Sequence, residues 1–353
     1  MQKRNSRKGS RHHHRHHRRK KLISRRTAAT AAVLLCVCAI LGIAVVREQK
    51  KQESMKITAN NAHDVGNSYR EVEYNGKKYR YNYLVTSVLF AGLDTEDELA
   101  ETKRYSNKSR ADSIYLVVMD KQNKKMSVLC LSRDTMTDVR RYSMNGNDQG
   151  MAVTHLGYAY SYGDGGSVSC GNLCEAVSKM LGDVPILNYV VASQKAVPYF
   201  NDLVGGVSLT VPNADLQELY PDLSEGMRVT LNEDNVMTFL RYRDTEKLFS
   251  NEGRMERQKA YIESYIQKVK GISTGELEDI WTSLEEDMDS YVQTNITRNK
   301  YLDMVDLLQI AEMTEDSFLT LDGENRAGEV HDEFYPDPEA LQEMILTLFY
   351  EEM

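Results

Sequence analysis

The first 26 residues contain no aspartate and no glutamate, although the 353-residue chain carries 52 acidic side chains against 44 Lys and Arg. Twelve of those basic residues and five of the eight histidines lie in that opening stretch, so removing it leaves 32 basic against 52 acidic residues, a formal charge of -20. A charge divided this sharply asks for two environments. Cysteine is scarce as well: of five, Cys36 and Cys38 fall inside an apolar run, which leaves Cys130, Cys170 and Cys174. Three cysteines imply no disulfide framework. Cys170 and Cys174 stand four apart in a helical pattern, a spacing that strains disulfide geometry, so they are expected as small buried apolar residues. No internal repeat is present, which excludes a repeat architecture.

What the chain does have begins at residues 27–46, TAATAAVLLCVCAILGIAVV, twenty residues without a charge. As a helix they rise about 30 Å, enough to cross a hydrocarbon core. The run is longer and later than the apolar region of a cleaved signal peptide, so one uncleaved transmembrane helix is expected. Residues 1–26 then form a basic cytoplasmic tail and everything after Arg47 lies outside the cell membrane, by the positive-inside rule. Attraction to anionic headgroups accounts for the tail, and no nucleic-acid partner is expected. Its histidines lack the carboxylate set of a specific metal site.

Residues 47–83 read as a stalk and a β-hairpin, the latter in YREVEYNGKKYRYN, which alternates around Asn75-Gly76. TSVLFAGLD, ending at Asp94, and DSIYLVVMD and MSVLCLSRDT read as strands. Their apolar runs are continuous rather than alternating, so both faces of the sheet must be covered. The expected fold is α/β: a three-layer domain with a central mixed β-sheet covered by helices on both faces, preceded by the transmembrane helix. Downstream come a helix over 169–181, a strand in PILNYVVA, a helix in AVPYFNDLVG and a strand in GGVSLTV. Asn232 is placed to cap a helix whose end delivers Arg241 and Arg243, and Arg254 to start a long helix. Residues 273–353 read as a C-terminal helical extension packing on the domain.

Arg110 and Asp112 open one strand, Arg133 and Asp134 close the next, and RYRDTEKLFSNEGRMERQ begins at Arg241. Arginine beside aspartate at strand ends suits a phosphate and its metal, though ordinary ion pairs explain the same spacing. The order FAGLD, RADS, LSRDT, YAYSYGDG, NDLVGGVSLTVP, TLNEDNVMTFLRYRD, GRMERQ, over residues 84–272, resembles the LytR-CpsA-Psr family of cell-wall glycopolymer transferases. The resemblance implies a phosphotransferase that moves a glycopolymer, teichoic-acid-like or capsular, from a polyprenyl diphosphate carrier to peptidoglycan through a phosphodiester. It also implies a magnesium ion, with manganese as the alternative, and a Gram-positive cell surface.

Under that resemblance the diphosphate would be held by Arg110, Arg133, Arg241, Arg243, Arg254 and Gln258. A guanidinium fork matches phosphate oxygens, and Gln258 shares the face of Arg254 one turn on. Asp94 and Asp112 would hold the metal through one or two carboxylates, and Arg110, Asp112, Arg133 and Asp94 would carry the catalysis. Plainer readings stand beside these: Asp94 as a turn residue, Arg257 as a solvated charge, and Tyr158, Tyr160 and Tyr162 as packing. The chain departs from the family pattern twice. No lysine precedes YAY in MAVTHLGYAY, where His155 is the substitute, and Asn251 stands where an aspartate is usual three residues before Arg254. The general base is thereby left open among Asp94, Asp112 and Asp244. The runner-up readings are a phosphohydrolase that releases the same donor to water and a non-catalytic sensor of lipid-linked sugar.

Overall fold

The computed structural model describes residues 70–105, 109–244, 250–273, 290–329 and 331–353. The basic tail, the expected transmembrane helix and most of the stalk lie outside the described residues. Among the described residues no helix is long and apolar enough to cross a membrane.

The chain opens with β1 (Glu71–Tyr74) and β2 (Lys77–Tyr81), then β3 (Val85–Leu93), β4 (Ala111–Asp120), β5 (Lys125–Leu131), β6 (Met136–Tyr142) and β7 (Asp148–His155). After α1 (Ser167–Met180) come β8 (Tyr189–Ala192), α2 (Ala196–Leu203), β9 (Val207–Thr210), β10 (Arg228–Leu231), α3 (Val236–Arg241) and α4 (Asn251–Lys270). The remainder is β11 (Val292–Thr294), α5 (Arg298–Ile310), β12 (Phe318–Thr320), β13 (Gly323–Ala327), β14 (Asp332–Pro336), α6 (Pro338–Phe349) and β15 (Tyr350–Glu352).

Six strands form the central sheet in the order β11-β8-β3-β4-β5-β12. It is mixed: β3 runs parallel to β8 and antiparallel to β4, and β12 runs parallel to β5. Side chains alternate across a strand, which explains the continuous apolar runs. Val88 and Phe90 of β3 face one core with Phe200, Phe239 and Tyr265 from α2, α3 and α4. Leu89 and Ala91 face a second core with Leu173 and Val177 of α1 and Phe349 of α6. Truncating a fully buried leucine such as Leu89 in a core of this kind costs about 2–5 kcal/mol.

The hairpin forms where Asn75-Gly76 places it, with φ of 50° and 74° at the two turn residues, the left-handed pair a two-residue turn requires. Asn232 does not cap α3. Its Oδ1 accepts from the N–H groups of Asp234 and Asn235, closing a turn before the helix begins at Val236. The long helix likewise starts at Asn251, three residues ahead of Arg254. Residues 273–353 do supply helices, α5 and α6, the latter within the expected DPEALQEMILTLFY segment. Their described part also adds strands that the sequence reading lacked: β11 and β12 are the two edges of the central sheet, β13 and β14 pair as a hairpin, and β15 pairs with β2. These strands are three to five residues long, too short for alternation to announce them.

Candidate active site

The site lies at the ends of β3, β4 and β5, where the sheet hands over to loops. Between β3 and β4 the register shifts: Gly92 pairs with Ser113 but Leu93 pairs with Ala111, leaving Asp112 as the extra residue. Such a bulge turns a side chain out of the ladder. Just beyond it, the Asp94 N–H donates to the Arg110 carbonyl at 2.9 Å, and Asp94 Oδ1 accepts the Arg110 N–H at 2.6 Å. The two strand ends are thereby locked together with Asp94 and Asp112 as neighbours.

Around Asp112 the side chains close into a ring. Arg133 Nη1 donates to Asp112 Oδ1, and Arg133 Nε lies 3.4 Å from Asp134 Oδ1. Asp134 Oδ2 accepts from Asn251 Nδ2 at 2.6 Å, and Asn251 Oδ1 accepts from Arg254 Nη2 at 2.6 Å. Arg254 Nη1 returns to Asp112 Oδ2 at 3.4 Å. Arg254 is 4 % exposed, and its Nε is buried without a hydrogen-bond partner. An orphaned guanidinium N–H of this kind costs free energy unless something supplies an acceptor.

The ring opens onto a pocket of about 260 Å³, partly open to solvent, lined by Arg110, Arg133, Asp134, His155, Tyr158 and His331 among others. The Arg110 guanidinium stacks 4.7 Å from the centre of the Tyr158 ring, a cation–π contact that fixes its plane. Gly157 allows the loop to approach, because a Cβ there would stand 2.8 Å from the Ala111 carbonyl.

The electrostatics match. Burial is the largest influence on Arg133 and would lower its pKa, but Asp112 and Asp134 together raise it above the ordinary value. Arg254 goes the other way, lowered to about 10 chiefly by burial, with Arg133 and Arg243 adding to the effect and Asp112 opposing it. It remains charged at neutral pH. Asp94 is raised, first by the protein shielding its carboxyl although the residue's surface is exposed, then by Asp112, against the Arg110 N–H and the charges of Arg110 and Arg133.

Not every expected residue comes to this point. Asp94, Arg110, Asp112, Arg133 and Arg254 do. Arg243 lies near enough to depress Arg254. Arg241 is exposed at the end of α3, with Nη1 3.8 Å from Glu96 Oε1. Gln258 uses its amide on protein, accepting from Tyr115 Oη at 3.2 Å and donating to the Leu240 carbonyl at 3.1 Å. Arg257 is not a solvated charge. It is 0 % exposed and donates to the carbonyls of Phe239 and Tyr242 and to Asn213 and Asp215. It thus ties α4 to the segment that carries Arg241 and Arg243. Tyr160 is core, as packing predicts, while Tyr158 lines the pocket. Cys130, Cys170 and Cys174 are free and buried. Burial pushes the Cys130 and Cys174 thiols up to about 12. Sequence reasoning passed over His331, because nothing in GEVHDEFYP signals that a hairpin returns it to the pocket.

The sequence profile of the LytR_cpsA_psr family matches residues 44–348. A Bacillus cereus protein named polyisoprenyl-teichoic acid–peptidoglycan teichoic acid transferase TagU is 26 % identical over 259 residues, 73 % of this chain and 75 % of its own length. The Bacillus subtilis transferase TagV is 29 % identical over 217 residues, 60 % of this chain and 49 % of its own. Among solved structures, that of Bacillus subtilis TagV superposes with a TM-score of 0.56 at 24 % identity, over 76 % of this chain and 96 % of that one. A structure of TagT bound to LIIa-WTA gives a TM-score of 0.56 at 19 % identity, over 75 % of this chain and 90 % of that one. At these identities the superpositions establish the fold.

Proposed function

This chain belongs to the LytR-CpsA-Psr family, and from that premise we propose that it is a membrane-anchored extracytoplasmic phosphotransferase. Its donor is a glycopolymer on a polyprenyl diphosphate, its acceptor a hydroxyl of peptidoglycan, and its product a phosphodiester. The observation that carries the reading is Arg254: a buried guanidinium with an unpartnered Nε, beside Arg133 and Asp112 and next to an arginine-walled pocket. A diphosphate supplies the missing acceptor oxygens.

In this reading Arg110, Arg133 and Arg254 grip the diphosphate oxygens and stabilise charge that spreads onto them as the phosphoryl group transfers. Arg243, near Arg254, and the exposed Arg241 add positive charge that attracts the donor. Gln258 is assigned a positioning role, since its amide already holds Tyr115 and the end of α3. The closed ring through Asp134 and Asn251 holds the two inner guanidinium planes, so little reorganisation is needed during transfer. Among the described residues no group of three or more His, Cys, Asp or Glu forms a protein cage for a cation. Two neighbouring carboxylates, one of them raised in pKa by burial and by the other's charge, fit magnesium, which takes one or two carboxylates and completes its shell with phosphate and water. Asp94 and Asp112 would hold it, and when bound it supplies charge neutralisation at the diphosphate.

The anchor belongs to the same proposal. It rests on the uncharged run 27–46 behind a basic tail, and it places the site outside the cell membrane. The test is product analysis. Full-length protein in detergent is given a synthetic polyprenyl diphosphate sugar, magnesium and a peptidoglycan oligomer. Mass spectrometry should find the sugar phosphate joined to the oligomer and free polyprenyl monophosphate. Sugar phosphate released only to water would replace the transferase by a hydrolase.

A further inference from the structure

Hairpin β13–β14 comes from far outside the stretch that carries the family motifs, yet it is fastened to the site. The Phe334 N–H donates to the Asp134 carbonyl at 2.9 Å, His155 Nε2 lies 3.0 Å from the Asp332 carbonyl, and Asn325 Nδ2 donates to Glu252 in the first turn of α4. The hairpin therefore presents His331 to the pocket, whose lining it shares with Arg110 and Arg133. The His331 ring stands edge-on to His155 at 6.1 Å and lies 6.4 Å from Tyr158.

The two carboxylates between the inner arginines are already engaged at both oxygens. Both oxygens of Asp112 face Arg133 and Arg254, and both oxygens of Asp134 face Arg133 and Asn251. Asp94 Oδ1 takes the Arg110 N–H. A carbonyl only accepts, so His155 Nε2 carries the proton toward Asp332 and its ring is oriented by that bond, with Nδ1 as its remaining acceptor. The His331 ring makes no hydrogen bond among the described residues and is exposed. We propose that His331 is a catalytic residue, the general base that receives the proton of the peptidoglycan hydroxyl, an inference that rests on the transferase reading.

The step balances. The acceptor oxygen bonds to the sugar-bearing phosphorus, the bridging bond to the lipid phosphate breaks, and its electron pair leaves on polyprenyl monophosphate. The hydroxyl proton passes to the imidazole. Charge favours a free base there: burial lowers the His331 pKa first, then Arg110, His155 and Arg133, against Asp134 alone. Starting from about 6.5, a lowered value leaves the ring neutral at neutral pH.

The experiment compares wild type with His331→Gln, measuring transfer to the oligomer across acidic to neutral pH, donor binding and thermal midpoint. Wild-type transfer should fall as the pH drops through the His331 pKa. His331→Gln should bind donor and melt normally, transfer about 10²–10⁴-fold more slowly, and lose that acidic limb. A variant as fast as wild type overturns the proposal, and so does a slower one that keeps the limb. Wild type that yields only hydrolysis defeats the transferase reading itself, an outcome distinct from either.

Discussion

Arg254 and Arg257 lie one turn apart on the same helix and are both buried, yet their surroundings are opposite. Arg257, on the face toward α3, has its fork filled by two backbone carbonyls, Asn213 and Asp215. Arg254, on the face toward the sheet ends, meets Asp112 only at 3.4 Å and leaves Nε unpartnered. Charge and burial are thus similar, and satisfaction separates them. An arginine whose donors end on protein holds the fold, whereas a buried arginine with a donor to spare can still take an acceptor from a ligand. Burial lowers the pKa of both Arg257 and Arg254, the latter to about 10, so it is hydrogen-bond satisfaction and not titration that tells them apart.

Three substitutions test this contrast. The largest effect is expected at the unsatisfied face. Arg254→Lys keeps the charge and loses the fork, so transfer should fall about 10²–10³-fold, near 2.7–4 kcal/mol in the transition state, with an unchanged thermal midpoint. Normal transfer with a lowered midpoint would make Arg254 another structural arginine and erase the contrast. The converse variant, Arg257→Lys, strands the carbonyls of Phe239 and Tyr242 and should cost about 2–3 kcal/mol in urea unfolding. The protein that remains folded should still transfer, and a variant of full stability without activity would move Arg257 into the site. Smallest is Asn251→Asp, which sets a carboxylate against Asp134 where an amide N–H now donates. The two carboxyls then share a proton, the pair's pKa rises, and the stability it retains is present at low pH and lost as pH rises through that value. Unfolding at neutral pH should show a deficit of about 1–2 kcal/mol that shrinks on acidification, and a pH-independent difference would show that the amide does not hold the ring.

Much of the frame was readable in the sequence, because its signals are local. Asn75-Gly76 specifies a turn by backbone sterics, and the apolar runs of β3, β4 and β5 specify strands covered on both faces. The ordered motifs identify the family and bring Asp94, Arg110, Asp112, Arg133 and Arg254 into consideration together. Gln258 and Arg257 were harder: helical spacing puts them near Arg254 but says nothing of which neighbour absorbs their hydrogen bonds. β11, β12 and β15 escaped detection because their pairing partners, β8, β5 and β2, lie 100 or more residues away in the chain.

By itself, then, the sequence determined the charge division, the uncharged run, the α/β character and the type of chemistry, since composition, periodicity and motif order are properties of contiguous residues. Only the tertiary structure decided that Asp112 projects from a bulge, that Asn251 links Asp134 to Arg254, that Arg257 is locked into the fold, and that His331 stands at the pocket. Each of those outcomes depends on which distant groups satisfy a buried donor or acceptor. A hydrogen bond acts over about 3 Å in space whatever the separation along the chain, so the meaning of each polar side chain was fixed when the strands and helices packed.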